Sequence, residues 1–335
     1  MSDILWIRAD IPDSKEDRRL AAADAVAAGI KSVIVRPEDT DFAELGAENV
    51  LYVSYSGRKG DTLVANIKTL RDLRRVLSRT GSFRAVVLEE TDNSVIPLEN
   101  IIAVFSGSGI RVLVEVSDAD RAKVCINALE VGADGLVIRN PSQAAEISEL
   151  TKPPQTIPLS EVRVTETKIT EAGDRSCIDT ISVMNPSEGM LIGSQSSCLF
   201  LVASESENND FINSRPFRVN AGAVHSYVLV PDGMTRYISE ISAGDSALIV
   251  SKEGTSRKTT VGRSKTERRP LIMIKASDGK NDYNVILQYA ETVKLIGPKG
   301  NIPVTSLKEG DVVLAHLSSA GRHCGIPVDE SVIEK

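Results

Sequence analysis

Cysteine is scarce and scattered in this chain. Its 4 cysteines, Cys125, Cys177, Cys198 and Cys324, form no close pair and no Cys-x-x-Cys spacing. A structural zinc site is therefore not expected, and reduced, mostly buried thiols are. Histidine is scarcer still, with 3 in 335 residues and no His-x-His or His-x-x-x-His spacing. Any mononuclear metal site would have to recruit carboxylates from elsewhere. No apolar stretch approaches the ~20 residues of a membrane span. The opening MSDILWIRAD carries acids and an arginine where a secretory leader needs a basic and then an apolar run. A cytoplasmic location away from membranes is expected. Positive charge is not in excess either: 39 Lys and Arg stand against 46 Asp and Glu, a formal net charge of −7. Phosphate contacts need concentrated Lys and Arg, so small molecules are expected as partners rather than nucleic acid.

What is present changes character near the middle. Up to about residue 150, short apolar runs alternate with helical patterns. The runs are ILWI (4–7), SVIV (32–35), VLYV (50–53), AVVL (85–88), RVLVEV (111–116) and GLVI (135–138). Leu98, Ile101, Ile102 and Phe105 follow helical spacing, as do Ala122, Cys125, Ile126 and Leu129. Repeated βα units imply a parallel sheet, and continuous apolar runs imply strands covered on both faces. A barrel-like (β/α) domain is placed ahead of an open doubly wound sheet. In either, chemistry belongs at the carboxyl ends of the strands. Those ends carry Arg8, Asp10, Arg36, Glu38, Glu89, Glu90, Asp92, Glu115, Arg139 and Asn140.

TKPPQTIP (151–158) marks the boundary, giving domains 1–154 and 155–335. Beyond it the period is that of strands, as in EVRVTETKI, CLFLVAS, ALIVS and DVVLAHL. ISEISAGDSALIV (238–250) and VTSLKEGDVVLAH (304–316) align on Gly244-Asp245 and Gly310-Asp311, a hairpin grammar used twice. The fold class is α/β plus β: a (β/α) barrel-like parallel domain followed by a β-rich, barrel-like domain.

All 3 histidines lie in the β-rich half, at positions 225, 316 and 323. His316 sits in an apolar strand, whereas His225 and His323 lie in glycine-containing segments. In VGRSKTERRPL (261–271), Arg263, Lys265, Glu267 and Arg269 alternate and so share one strand face. That face is either solvated and self-neutralising or, if enclosed, an acid/base pair with arginines able to grip a carboxylate. Ala221-Gly222 reads as a bend. No P-loop, dinucleotide fingerprint or Gly-x-Ser-x-Gly elbow is present.

WIRAD, EETDNSVIPLENII (89–102), GDRSCIDT (173–180), EGMLIGSQSS (188–197), RPFRVNAGAVHSY (215–227), TRYISEISAGD (235–245), VGRSKTERRPL and GRHCGIPVDESVIEK (321–335) resemble the type II 3-dehydroquinate synthase family. The resemblance spans essentially the whole chain. It implies NAD-dependent oxidation of an amino sugar acid, 2-amino-3,7-dideoxy-D-threo-hept-6-ulosonate. Hydrolysis of the imine, loss of ammonia and intramolecular aldol closure to 3-dehydroquinate follow, an early step of aromatic amino-acid biosynthesis. The resemblance also covers a second branch with the same motifs, which makes 3-amino-4-hydroxybenzoate with a divalent metal such as manganese. Glu89, Glu90 and Asp92, together with Glu115-Val116, match the first branch.

Within that implied chemistry, Lys265, His225, Glu267 and His323 are the candidate catalytic residues. Arg215, Arg218, Asn220 and Arg269 are candidates for holding the substrate. Asp10, Glu89, Glu115 and the Gly189–Gly193 loop are candidates for the nicotinamide site. His225, His323 and Glu89 are the candidate ligands should a metal such as manganese bind. A non-catalytic module that senses small anions is the reading from another class, and a homo-oligomer is left open.

Overall fold

The computed structural model describes residues 4–54, 59–78, 81–89, 95–126, 132–150, 155–208, 213–318, 321–323 and 326–328. The chain divides into two units, Met1–Pro153 and Pro154–Lys335, and the division falls inside TKPPQTIP.

Seven parallel strands make the first unit. Their order across the sheet is Asn49–Tyr52, Ser32–Val35, Leu5–Arg8, Gly135–Ile138, Arg111–Glu115, Ala85–Leu88 and Thr62–Ala65. The two edge strands then meet: Val53 bridges Thr62 in parallel, and the Ser54 amide donates to the Thr62 carbonyl at 3.1 Å. The sheet thus closes on itself by a single bridge, so the open doubly wound alternative does not hold. Alternation along the strands gives the ring two packed surfaces. Trp6, Ile34, Val87, Leu113 and Val137 form one buried cluster with the same parity, while Leu5, Ile7, Val33, Val86 and Ile138 pack with the helices. The helices begin where the sequence supplies caps. Ser14 accepts from the Asp17 amide, and Thr69 and Asp72 form a reciprocal capping box.

The strand Thr62–Ala65 is the one the apolar runs do not reveal. It has four residues, of which only Thr62 is buried, so its sequence carries no continuous apolar signal. Leu129 of the second helical pattern lies outside the described residues.

Antiparallel pairing dominates the second unit. Six strands form a ring: Glu188–Gln195, Ser246–Ser251, Ser256–Ser277, Ser160–Thr180, Arg215–Ala223 and Cys198–Glu205, which pairs back with the first. Its core includes Ile178, Met190, Phe200, Val202, Val219, Ile249 and Val261. The two long strands, Ser160–Thr180 and Ser256–Ser277, run past the ring while staying paired, from Val261 opposite Thr180 to Ser277 opposite Arg163. Other strands, including Asp282–Gln288 and Val312–Leu317, cover their far ends.

The Gly-Asp repeat is a structural duplication. Gly244 donates to the Val261 carbonyl and Val261 donates to the Asp245 carbonyl; Gly310 and Val164 do the same through Asp311. Each Asp also accepts, at 2.8 Å, from the amide three residues earlier, Ser242 or Lys308. One Gly-Asp turn therefore clamps each long strand at an equivalent point, and the antiparallel pair has an approximate local two-fold. Under it, the cross-strand pair Asp179–Arg263 is matched by Lys275–Glu166, and Cys177–Lys265 by Met273–Lys168.

Two local expectations are corrected. Gly189 and Gly193 belong to the strand Glu188–Gln195 rather than to a loop, because a Cβ there would stand 1.9 Å from the Val202 carbonyl oxygen and 2.0 Å from that of Cys198. Ala221-Gly222 is not a bend that ends the strand but a bulge within Arg215–Ala223, where the register shifts by one residue. Gly222 holds φ at +84°, and a Cβ there would lie 2.5 Å from the Ile286 carbonyl oxygen. No helix among the described residues is long and apolar enough to cross a membrane.

Gly222→Ala meets both penalties, a left-handed backbone and a carbonyl in its path. The substitution is expected to destabilise the protein by more than about 1 kcal/mol, read as a lower urea midpoint for the loss of β-sheet circular dichroism.

Candidate functional site

Three adjacent strands, Arg215–Ala223, Ser160–Thr180 and Ser256–Ser277, lay the sequence candidates out in rows. Arg218 lies opposite Asp179, and Asp179 opposite Arg263. The next row is Asn220, Cys177 and Lys265; beyond the Gly222 bulge comes Ala223, Arg175 and Glu267. Alternate residues share a face, so these side chains lie on the side turned away from the core residues Ile178 and Val219.

The first row is a shared ion pair. Arg218 grips Asp179 with both arms, at 2.7 and 2.9 Å, and Arg263 reaches the same carboxylate at 2.5 Å. Burial alone would push the Asp179 carboxyl up, but the two guanidinium groups outweigh it and hold it below the usual carboxylate range. Hydrogen bonding to Asp179 raises the Arg218 pKa in turn. The third row is looser. Glu267 receives Arg269 at 2.8 Å, Lys265 at 3.2 Å and Arg175 at 3.5 Å. The hydrogen bond from Lys265, followed by the charges of Arg269 and Lys265, keeps Glu267 ionised.

Between them lies a buried middle. Cys177 is 2% exposed and Asn220 3%. Arg175 directs Nη1 at the Cys177 sulfur, at 2.7 Å. Burial pushes the Cys177 thiol up, away from a reactive thiolate. Asn220 donates to Gln288 at 2.8 Å, while its Oδ1 is buried without a hydrogen-bond partner among the described residues.

The structure thus brings Arg218, Asn220, Lys265, Glu267 and Arg269 together. Arg215, at the start of the same strand, is occupied by Glu205 at 3.1 Å. As forks for a substrate carboxylate, Arg215, Arg218 and Arg269 each already hold a carboxylate of the chain. His225 follows the strand in a turn, exposed, and bonds to no described residue; desolvation lowers its pKa. His323 lies in the short strand Gly321–His323, and its side chain is outside the described residues. Arg175, Cys177 and Asp179 are the residues the sequence reading missed. Their signal was the alternation Arg-x-Cys-x-Asp in GDRSCIDT, the same device as in VGRSKTER.

On this face Arg175, Arg218, Arg263, Lys265 and Arg269 stand against Asp179, Glu267 and the neighbouring Glu205, whose charge reaches Arg218 and Cys177, five cations to three carboxylates. Such a surface suits an anion.

The barrel mouth of the first unit is different. Arg8 sits at its centre, bound to Asp10 at 2.7 Å and to Glu115 at 3.1 Å, with Glu89 at 4.0 Å. Arg139 closes on Glu115 at 2.5 Å, and Arg36 donates to the Asp10 carbonyl at 2.8 Å. Asp10 and Glu115 are therefore committed to arginines rather than open to a ribose hydroxyl. Gly189 and Gly193 face strand carbonyls where a pyrophosphate would have to approach. Asp10, Glu115, Gly189 and Gly193 are therefore not free for a nicotinamide cofactor as they stand, whereas Glu89 is partly exposed with its Arg8 contact at 4.0 Å. Glu90 and Asp92 lie outside the described residues. Among the described residues no three His, Cys, Asp and Glu side chains lie together as a ligand set; the side chain of the candidate His323 is outside them.

Comparison with known families now bears on this arrangement. Residues 4–153 match the 3-dehydroquinate synthase II N-terminal domain, and 161–335 match the C-terminal domain of the same family. The chain belongs to the 3-dehydroquinate synthase II family. A 3-dehydroquinate synthase of Methanocella arvoryzae is 45% identical over 294 residues, 87% of this chain and 75% of its own. Those of Methanocorpusculum labreanum and Methanocaldococcus jannaschii are 40% and 38% identical, covering 99% and 98% of this chain and 98% and 99% of theirs. The cationic face lies in the part matched to the family's C-terminal domain.

Asp179 has a folded pKa below its unfolded one, so the stability it contributes is complete above the unfolded value and lost as pH falls through the folded value. Urea unfolding is expected to weaken below about pH 4, and Asp179→Asn to flatten that part of the profile. At neutral pH the same substitution strands Arg218 and is expected to remove about 3–5 kcal/mol.

Proposed function

We propose that the chain forms 3-dehydroquinate from 2-amino-3,7-dideoxy-D-threo-hept-6-ulosonate, with NAD as oxidant. The observation that carries this is the cationic face with its Lys265–Glu267 pair, in a chain that matches both domains of the family. In this reading it works in the cytoplasm on a small carboxylated substrate and binds neither nucleic acid nor membrane.

The chemistry makes definite demands on the chain. An amine gives up hydride from its carbon only when its nitrogen is unprotonated, so a base is needed first. His225 supplies it: desolvation lowers its pKa and favours neutral imidazole. NAD, held elsewhere than at Asp10, Glu115, Gly189 and Gly193, would provide the hydride acceptor. Water then adds to the imine, ammonia leaves, and a 2-oxo acid remains. Ring closure needs a proton taken beside the C6 ketone, by His225 once ammonia has carried its first proton away as ammonium, and charge stabilisation at the enolate oxygen. Lys265, held by Glu267 at 3.2 Å, is the donor for that oxygen. The surplus of guanidinium groups holds the carboxylate and keeps the developing anion in a favourable field.

With the amino sugar acid and NAD, NADH absorbance is expected to rise in step with ammonia. Lys265→Ala and His225→Ala are each expected to lower kcat by about 10²–10⁴-fold. The acidic limb of kcat/KM should lie below the ordinary imidazole value, in the direction desolvation shifts His225, and disappear in His225→Gln. Aromatic product with manganese and no NADH would instead assign the chain to the aminohydroxybenzoate branch. Binding without turnover would make it a sensor.

A further inference from the structure

We propose that Arg175 and Asn220 form the receptor for the α-amino carboxylate end of the substrate, with Arg175 taking the carboxylate and the Asn220 Oδ1 accepting from the amine. This rests on the reading of the cationic face as the substrate site.

The argument starts from which cations are already neutralised. Arg218 and Arg263 share Asp179, Arg215 has Glu205, and Arg269 and Lys265 stand closest to Glu267. Arg175 is left with the poorest partners. Its contact with Glu267 is the longest of that residue's three, at 3.5 Å, and its other close contact is a neutral thiol at 2.7 Å. Its Nε is buried with no hydrogen-bond partner among the described residues, and the residue is only 5% exposed. A buried guanidinium so weakly compensated is unfavourable unless something completes it. A carboxylate ligand can displace the long Glu267 contact at little loss, because Glu267 keeps Lys265 and Arg269.

The second unsatisfied group is its neighbour. Asn220 lies opposite Cys177, two residues along the strand from Arg175, so the two are diagonal cross-strand neighbours on one face. Such positions lie about 7–8 Å apart at the backbone, within reach of a long side chain. The Asn220 amide nitrogen is fixed by Gln288, which turns Oδ1 into the remaining acceptor. A weakly paired cation beside an acceptor with no described partner is the complement of a carboxylate beside an N–H donor.

The duplication supplies an independent reason. Counting two residues from the matched pair Cys177 and Met273, the position equivalent to Arg175 is Leu271, which is 6% exposed. The fold accommodates a buried leucine at that place in its other half, so the backbone does not require a cation there.

The test is calorimetric binding of the amino sugar acid and of its carboxamide analogue to the full-length protein, in wild type, Arg175→Gln and Arg175→Leu. Wild type is expected to prefer the acid by about tenfold or more, the size of a hydrogen bond to a charged group. Both variants should bind acid and amide alike, and Arg175→Leu should melt at or above wild type. A variant that keeps the acid preference, or an Arg175→Leu protein that melts well below wild type, overturns the inference alone. Wild-type protein that binds neither ligand overturns the functional reading and this inference with it.

Discussion

Pairing between Ser160–Thr180 and Ser256–Ser277 is the constraint on which the second unit rests. The strands meet along nearly their whole length, and every row of the cationic face is a row of that ladder. A slip of one residue would exchange the faces, sending Arg175, Cys177 and Asp179 toward the core and Ile178 away from it. The register is pinned twice, by the Gly-Asp turns at Val164 and Val261, and again by the ion pair that only this alignment allows between Asp179 and Arg263. Ring closure adds a third restraint, since Arg215–Ala223 fits against the long strand only through the bulge at Gly222.

The two units use buried charge in opposite ways. In the barrel mouth, Arg8 is surrounded by carboxylates that also take up Arg139, and each acid has a cation in contact. A network of that kind fixes the strand ends and offers a ligand little. On the cationic face the charges do not cancel, and a buried donor and a buried acceptor lack partners among the described residues. The same chemical groups therefore serve as a plug in one unit and as a receptor in the other, because only the second arrangement leaves interactions to be completed. Its carboxylates, Asp179, Glu267 and Glu205, are each held by guanidinium or ammonium groups, which leaves the spare positive charge for an acid.

The sequence was legible where a signal is local and periodic. Apolar runs revealed six of the barrel strands, and alternation in VGRSKTER placed Arg263, Lys265, Glu267 and Arg269 on one face. The seventh strand escaped because Leu63, Val64 and Ala65 are only half-buried, so closure rather than composition makes Thr62–Ala65 a strand. Partners were not legible. That Arg218 is spent on Asp179, 39 residues away in the chain, depends on a register no short segment encodes. For the same reason Gly189 and Gly193 read as a loop: a glycine required by a neighbouring carbonyl looks, in sequence, like one required by a turn.

Duplication accounts for why a receptor could arise at one end of the ladder. At the far end the matched pair Lys275–Glu166 is a 2.8 Å surface contact, 44% and 47% exposed, where solvent screens it and little stability depends on it. At the near end Asp179 is buried against Arg218, with the largely exposed Arg263 reaching the same carboxylate from outside, and desolvation makes the Asp179–Arg218 pairing obligatory. Two equivalent places in one scaffold have thus taken different roles. The exposed copy tolerates change in its charges. The enclosed copy keeps Asp179 balanced and carries, one row beyond Cys177, a guanidinium that the chain itself leaves incompletely paired.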